Sequence, residues 1–189
     1  MNAAHKYHYS YSEYLSALEG SEVKLEYADG VIYAMAGGTP AHGALGAAAT
    51  GILRQLLSGH CTVFSSDVKI RSDAQNRSVF PDGSVVCGSF QRSPSDAQAV
   101  TNPKLVVEVT SKSTEEYDRG SKLALYQSLQ SVRAVLLVSH REPRVTLVLR
   151  SGETWTTAEF RSGDTVAIDD PRVQFTVDEL YGDITLDPA

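Results

Sequence analysis

Four ionisable side chains stand where the neighbouring residues otherwise call for packing. Asp82 follows Pro81 between two apolar runs. Glu108 interrupts Leu105-Val-Val-Glu-Val109. Lys122 lies in the segment directly after that run, and Glu26 lies near the end of the run Val23–Tyr27. Carboxylates are seldom fully buried unless they are paired or bound to a metal. Two chemistries fit an acid in the middle of Leu-Val-Val-Glu-Val. One is a buried ion pair, Glu108 with Lys122 or Arg119. The other is a divalent-metal site in which carboxylates from adjacent strands converge. Mg²⁺ suits such a site and Mn²⁺ is possible, because both take oxygen ligands and keep several waters. A metal there would polarise a phosphate and help generate hydroxide. A nearby ammonium would hold the attacking water or offset charge on phosphorus. Together these are the minimum equipment for phosphodiester hydrolysis, although the spacing of the acids alone has little specificity.

The elements that would position these groups follow from local pattern. Ser10-Tyr-Ser-Glu13 has the form of a capping box, which predicts a helix to about Leu18, stopped by Gly20. Val23–Tyr27 and Val31–Met35 flank Asp29-Gly30, a strong hairpin signal. Gly37-Gly-Thr-Pro40 breaks the chain before a helix over Ala44–Leu57. Cys61–Ile70 reads as one strand. Val79–Phe80 and Ser84–Cys87 read as a strand interrupted at Pro81-Asp82-Gly83, and Gly88–Asn102 as a long polar loop. Leu105–Val109, apolar on both faces, reads as a central strand. Ser113-Thr-Glu-Glu116 is a second capping box, opening a helix to Leu129 that turns Tyr117, Leu123 or Leu125, Tyr126 and Leu129 inward. Ala134–Val138, Val145–Leu149, Thr154–Phe160 and Val166–Ile168 read as strands, and Phe175–Leu180 as a closing helical turn. This order predicts an α/β (α+β) domain with a mixed sheet flanked by helices.

The chain has 189 residues, which places one domain over 1–189. No apolar run approaches 18 residues, so no transmembrane helix is predicted, and the first 25 residues contain no signal-peptide block. Cys61 and Cys87 lack metal spacing and are expected as buried thiols of a cytoplasmic protein. Residues 150–189 hold nine acids and three bases, and so carry the whole net charge of −6. That balance argues against phosphate binding by the general surface, but not against a local basic groove. No nucleophile elbow, P-loop or His-Glu-x-x-His motif is present, so acyl transfer, nucleotide triphosphatase and zinc protease chemistry lack their signatures.

Pro81-Asp82, Glu108-Val-Thr-Ser-Lys-Ser-Thr114, Tyr117-Asp-Arg-Gly-Ser-Lys122 and Tyr126 resemble the Uma-two family of proposed bacterial endonucleases, also called domain of unknown function 820. Glu26-Tyr-Ala-Asp-Gly30, Ile32-Tyr-Ala-Met-Ala36, Pro40-Ala-His42, Ser65-Ser-Asp-Val-Lys69 and Leu137-Val-Ser139 match it as well, so the resemblance covers about residues 10–160. The family belongs to the restriction-endonuclease-like superfamily with a Pro-Asp…(Asp/Glu)-x-Lys signature. The resemblance implies a mixed sheet flanked by helices and a Mg²⁺-dependent nuclease site. Asp82 is similar to the metal-binding aspartate and Glu108 to the second carboxylate. Glu26 is similar to an N-terminal glutamate that adds a further metal or supporting ligand. The superfamily lysine would fall at Thr110, whereas the Uma-two pattern carries it on the next helix, at Lys122.

Asp82, Glu108 and Lys122 are therefore the expected catalytic set, with Asp82, Glu108 and Glu26 on the metal. His42, Asp67, Lys69 and Lys112 are candidates for supporting or substrate contacts. Asp118 precedes Lys122 by four residues, the spacing of a helical ion pair. Arg71, Arg77 and Arg92 lie on segments that could touch phosphate. Trp155 reads as core or an interface anchor, and His5, His8, His60 and His140 have no evident partners. The leading expectation is a metal-dependent endonuclease acting on nucleic acid, DNA ahead of RNA, with no membrane partner. A homodimer suits cleavage of both strands and the strand-rich segment 132–168. The alternative is a non-catalytic nucleic-acid- or protein-binding module on the same fold.

Overall fold

The computed structural model describes residues 7–35, 37–111 and 115–187. Helix α1 (Tyr11–Glu19) leads into strands β1 (Leu25–Ala28) and β2 (Val31–Ala34), and helix α2 (Pro40–Leu56) follows. Next come β3 (Cys61–Ser65), β4 (Lys69–Ser72), β5 (Arg77–Val79), β6 (Gly83–Cys87), β7 (Arg92–Ser93), β8 (Asp96–Val100) and β9 (Leu105–Thr110). After these, α3 (Glu115–Tyr117), a π-helical turn (Asp118–Lys122) and α4 (Leu123–Ser128) are continuous. The chain ends in β10 (Ala134–Ser139), β11 (Arg144–Ser151), β12 (Thr154–Arg161), β13 (Thr165–Asp169), β14 (Arg172–Thr176) and α5 (Val177–Tyr181).

The main sheet has the order β12-β11-β10-β9-β6-β3, with β9 and β10 parallel and the other pairs antiparallel. A smaller sheet has the order β2-β1-β5-β4-β8-β7, and β13 pairs with β14. The mixed sheet with helices on both faces is the architecture the sequence predicts. Side chains alternate across a strand, so β9 divides its residues between two cores. Leu105, Val107 and Val109 pack with Leu45, Leu53 and Ala49 of α2 on one face. Val106 packs with Leu125 and Tyr126 of α4 on the other. Each such fully buried aliphatic side chain contributes about 1.5–3 kcal/mol. Glu108 falls on the α4 side, where period two puts a charge inside the protein.

The Ser10 capping box forms as expected, with Ser10 and Glu13 satisfying each other's backbone amides. Asp29-Gly30 makes the hairpin turn with φ of 43° and 87°, the paired positive values that a type I′ turn needs. The second capping box cannot be followed, because Ser113 lies outside the described residues.

Several elements differ from the sequence expectation. Cys61–Ile70 is two strands, and β3 and β4 belong to different sheets. The interrupted strand at Pro81 is likewise a crossing, with β5 in the small sheet and β6 in the main one. Period-two alternation describes a strand's faces but not which sheet pairs with it. The polar loop 88–102 contains the β7–β8 hairpin. Strand β14 was not anticipated. Cys61 and Cys87 are not thiols: they face each other in register across β3 and β6 and form a disulfide, Cα atoms 4.0 Å apart. Sequence spacing carries no trace of that register. His140 also has a partner, since its Nδ1 lies 2.7 Å from Asp187 Oδ2.

Candidate active site

Asp82 occupies the crossing between the two sheets. Its Oδ2 accepts the Val109 amide at 2.7 Å, which ties the crossing to β9 one residue beyond Glu108. Gly83 lets α2 close on this crossing, because a Cβ there would meet Thr50 Cγ2 at 2.7 Å. The first turn of α2 brings His42 Nε2 to 3.4 Å from Asp82 Oδ2. The hydrogen bond to Asp82 raises the His42 pKa, against the opposing effect of burial.

Glu108 is 2% exposed. Lys122 Nζ lies 3.1 Å from its Oε1, and the Tyr126 hydroxyl donates to the same oxygen. Burial pushes the Glu108 carboxyl up to about 8; Lys122 and Tyr126 oppose the rise, and the charges of Asp82 and Asp118 add to it. Lys122 is 3% exposed. Its ammonium also lies 3.3 Å from Glu26 Oε1 and 3.8 Å from Asp118 Oδ1, and it donates to the Phe80 carbonyl at 3.4 Å. Burial alone would lower its pKa, but Glu108, Glu26 and Asp118 outweigh burial and hold it above the ordinary lysine value. Glu26 accepts from the Phe80 amide and from the Tyr117 hydroxyl, each at 2.9 Å.

The π-helical turn explains how a helix-borne lysine reaches the sheet. The Leu123 amide bonds to the Asp118 carbonyl, one residue wider than an α-helical turn. Such turns often accompany functional sites because they re-aim side chains. Here Asp118 and Lys122 are both buried, and Tyr126, four residues after Lys122, meets the same carboxylate. Arg77 of β5 donates to the carbonyl and hydroxyl of Ser121, at 3.0 and 2.7 Å, and so grips this turn.

These side chains open into a cleft of about 490 Å³ lined by Glu26, Tyr33, Arg77, Asp82, Glu108 and Lys122. A neighbouring cavity of about 610 Å³ shares His42 and Asp82 with it and runs along the start of α2.

Residues 11–178 match the family model Uma2, described as "Putative restriction endonuclease". The chain belongs to this family. It is 35% identical over 171 residues to the uncharacterized protein slr1290 of Synechocystis sp., covering 89% of each chain. It is 28% identical over 132 residues to the uncharacterized protein sll1609 of the same organism, covering 67% of this chain and 72% of that one. In fold it is similar to a crystal structure from Anabaena variabilis titled as "a putative nuclease belonging to DUF820", with TM-score 0.72 and 16% identity over 90% of this chain and 96% of that one.

For this Uma2 member, the structure brings Glu26, His42, Asp82, Glu108 and Lys122 to one cleft. It does not bring Asp67 or Lys69 there. Asp67 is exposed and pairs with Lys24 at 2.9 Å. Lys69 is buried against Asp96 at 2.6 Å, beneath the ring of Tyr14. Both belong to β4 and its preceding turn, which the single-strand reading of 61–70 placed wrongly. Lys112 lies outside the described residues. Arg71 stacks over Tyr11 and Arg92 lies against Phe90, so of these three arginines only Arg77 lines the cleft. Trp155 is half-buried beneath Arg150.

The ion pair considered for Glu108 is present with Lys122, and the Asp118–Lys122 pair forms as its spacing predicts. Sequence reasoning missed the hydroxyls of Tyr117 and Tyr126 as partners of the two glutamates. Their helical spacing around Lys122 is the available signal, but the same spacing predicts core packing.

Among the described residues, no group of three His, Cys, Asp or Glu side chains converges closely enough to hold a metal ion unaided. Asp82 and Glu108 offer two carboxylates, which is the usual protein share for Mg²⁺, whose remaining ligands are waters and phosphate oxygens. The charge balance also fits a cation. Glu26, Glu108 and Asp118 share one lysine, and burial, with the added charges of Asp82 and Asp118, raises the Glu108 pKa.

Proposed function

We propose that this cleft hydrolyses phosphodiester bonds of DNA with Mg²⁺ or Mn²⁺ held by Asp82 and Glu108. The observation that carries this reading is the convergence of Asp82, Glu108 and Lys122, from three separate elements, on one open cleft. A divalent cation bound there supplies Lewis-acid polarisation of phosphate and acidifies bound water. Asp82 is oriented for its part by the Val109 amide, and Glu108 by Tyr126 and Lys122. Glu26 acts one step back, holding Lys122 against Glu108. His42 stands at the open side of Asp82, where a protonated imidazole can donate to a phosphate oxygen. A homodimer would place two such clefts on one nucleic acid.

The decisive experiment is nicking of supercoiled plasmid in Mg²⁺ and in Mn²⁺, wild type beside Asp82→Ala. Metal-dependent nicking by the wild type alone is expected. Equal nicking by both proteins would remove Asp82 from the reaction, and none by either would leave the site without this activity.

The enclosure of Lys122 by three carboxylates favours a second reading, a binding module whose ion cluster only holds the fold. Under it, nucleic-acid binding is the same with and without metal, and Glu108→Gln leaves that binding unchanged.

A further inference from the structure

The wall of the cleft opposite Asp82 is the small sheet, and its register fixes which side chains face inward. Glu26 of β1 is directly opposite Tyr33 of β2, and Ala28 is opposite Arg77 of β5. Opposed residues of an antiparallel pair share a face. Tyr33, Glu26 and Arg77 therefore project on the same side, toward Asp82 and Glu108. Glu26 is buried, whereas Tyr33 is 46% exposed at the mouth. Seven of the nine tyrosines donate a side-chain hydrogen bond. Tyr33 makes none among the described residues, and its ring is left free in the cleft.

We infer that Tyr33 is a stacking platform for an unpaired base, so that the substrate of this cleft is single-stranded or locally unpaired nucleic acid. This rests on the proposed phosphodiester-hydrolysing reading of the site. Two further observations support it. The carboxylates are recessed, with Glu108 at 2% exposure, so the phosphate must enter the cleft, which a flexible strand does more readily than a stiff duplex. Electrostatic attraction is also scarce. Lys122 is enclosed by carboxylates, and Arg77 is the remaining cation of this wall. Binding must then draw on base–aromatic stacking, which is independent of net charge and tolerant of sequence. With one or two phosphates neutralised, log K should fall with log salt at a slope of only about −0.7 to −1.4.

The test is fluorescence anisotropy of the full chain with a labelled 20-nucleotide oligothymidylate and with a 20-base-pair duplex, Ca²⁺ replacing Mg²⁺. Wild type is expected to prefer the single strand. Tyr33→Ala should weaken that binding by roughly 5- to 150-fold, with an unchanged melting temperature, and Tyr33→Phe should keep it. Equal binding of duplex and single strand, or an unaffected Tyr33→Ala, overturns the inference. If wild type nicks plasmid while either of these results holds, the inference fails and the nuclease reading stands. If nothing is bound and nothing is cut, both fail.

Discussion

Lys122 and Glu108, fourteen residues apart in the chain, meet at 3.1 Å inside the protein, the lysine on a helix and the glutamate on the strand beneath it. The pair is one edge of a cluster in which a single ammonium answers three carboxylates. Removing a partner from such a cluster costs more than the pair is worth, because the remaining charges stay buried.

Lys122→Met should therefore destabilise the fold by about 3–5 kcal/mol, lowering the melting temperature by roughly 6–20 °C for a chain of this length. Lys122→Met combined with Glu108→Gln should recover part of that loss. Chemical denaturation of the four proteins of this cycle measures it, and strictly additive costs would mean that the pair is not coupled.

Metal binding should depend on pH through Glu108. Burial holds its carboxyl above the ordinary range, up to about 8, so a proton competes with the metal for this carboxylate as pH falls. Affinity for Mg²⁺ should rise about tenfold per pH unit below 8 and level off above it. Without metal the sign reverses. The folded state holds this proton more tightly than the unfolded state, so stability from this group is full below the unfolded carboxyl pKa and declines as pH rises toward 8. Titration calorimetry in buffers of different ionisation enthalpy should show proton release on metal binding that shrinks as pH rises.

Tyr126→Phe removes the hydroxyl that favours ionised Glu108. The loss should be about 1.5–3 kcal/mol of stability, and the pH midpoint for metal binding should move upward. A midpoint that stays put, or falls, would take Tyr126 out of the tuning of Glu108.

Reduction of the Cys61–Cys87 bond should lower stability by about 3–4 kcal/mol, because the bond closes a loop with a sequence separation of 26. Melting with and without dithiothreitol, beside Cys61→Ser, reads it. Wild type and variant should coincide once reductant is present.

The charged cluster was legible in the sequence because charge inside an apolar strand has few explanations. Glu108 stands out as the one charge in a run apolar on both faces, and Asp82 and Lys122 follow from motifs that resemble those of the Uma2 family. Asp67 and Lys69 were misplaced for a different reason. Their strand is continuous in pattern but changes sheets at the turn before Lys69, and local alternation is blind to which partner a strand takes. The same blindness hid the disulfide, since Cys61 and Cys87 become neighbours only through the β3–β6 register. The hydroxyls of Tyr117 and Tyr126 were hidden because an inward tyrosine looks apolar until its polar end finds a partner.

Strand β6 is fixed at both ends. At Cys87 it is bolted covalently to β3, and at Gly83 it lies flush beneath α2, where the absent methyl leaves just enough clearance. Asp82 thus stands at the tip of a beam clamped along its length, and its position is set by the foundation of the protein.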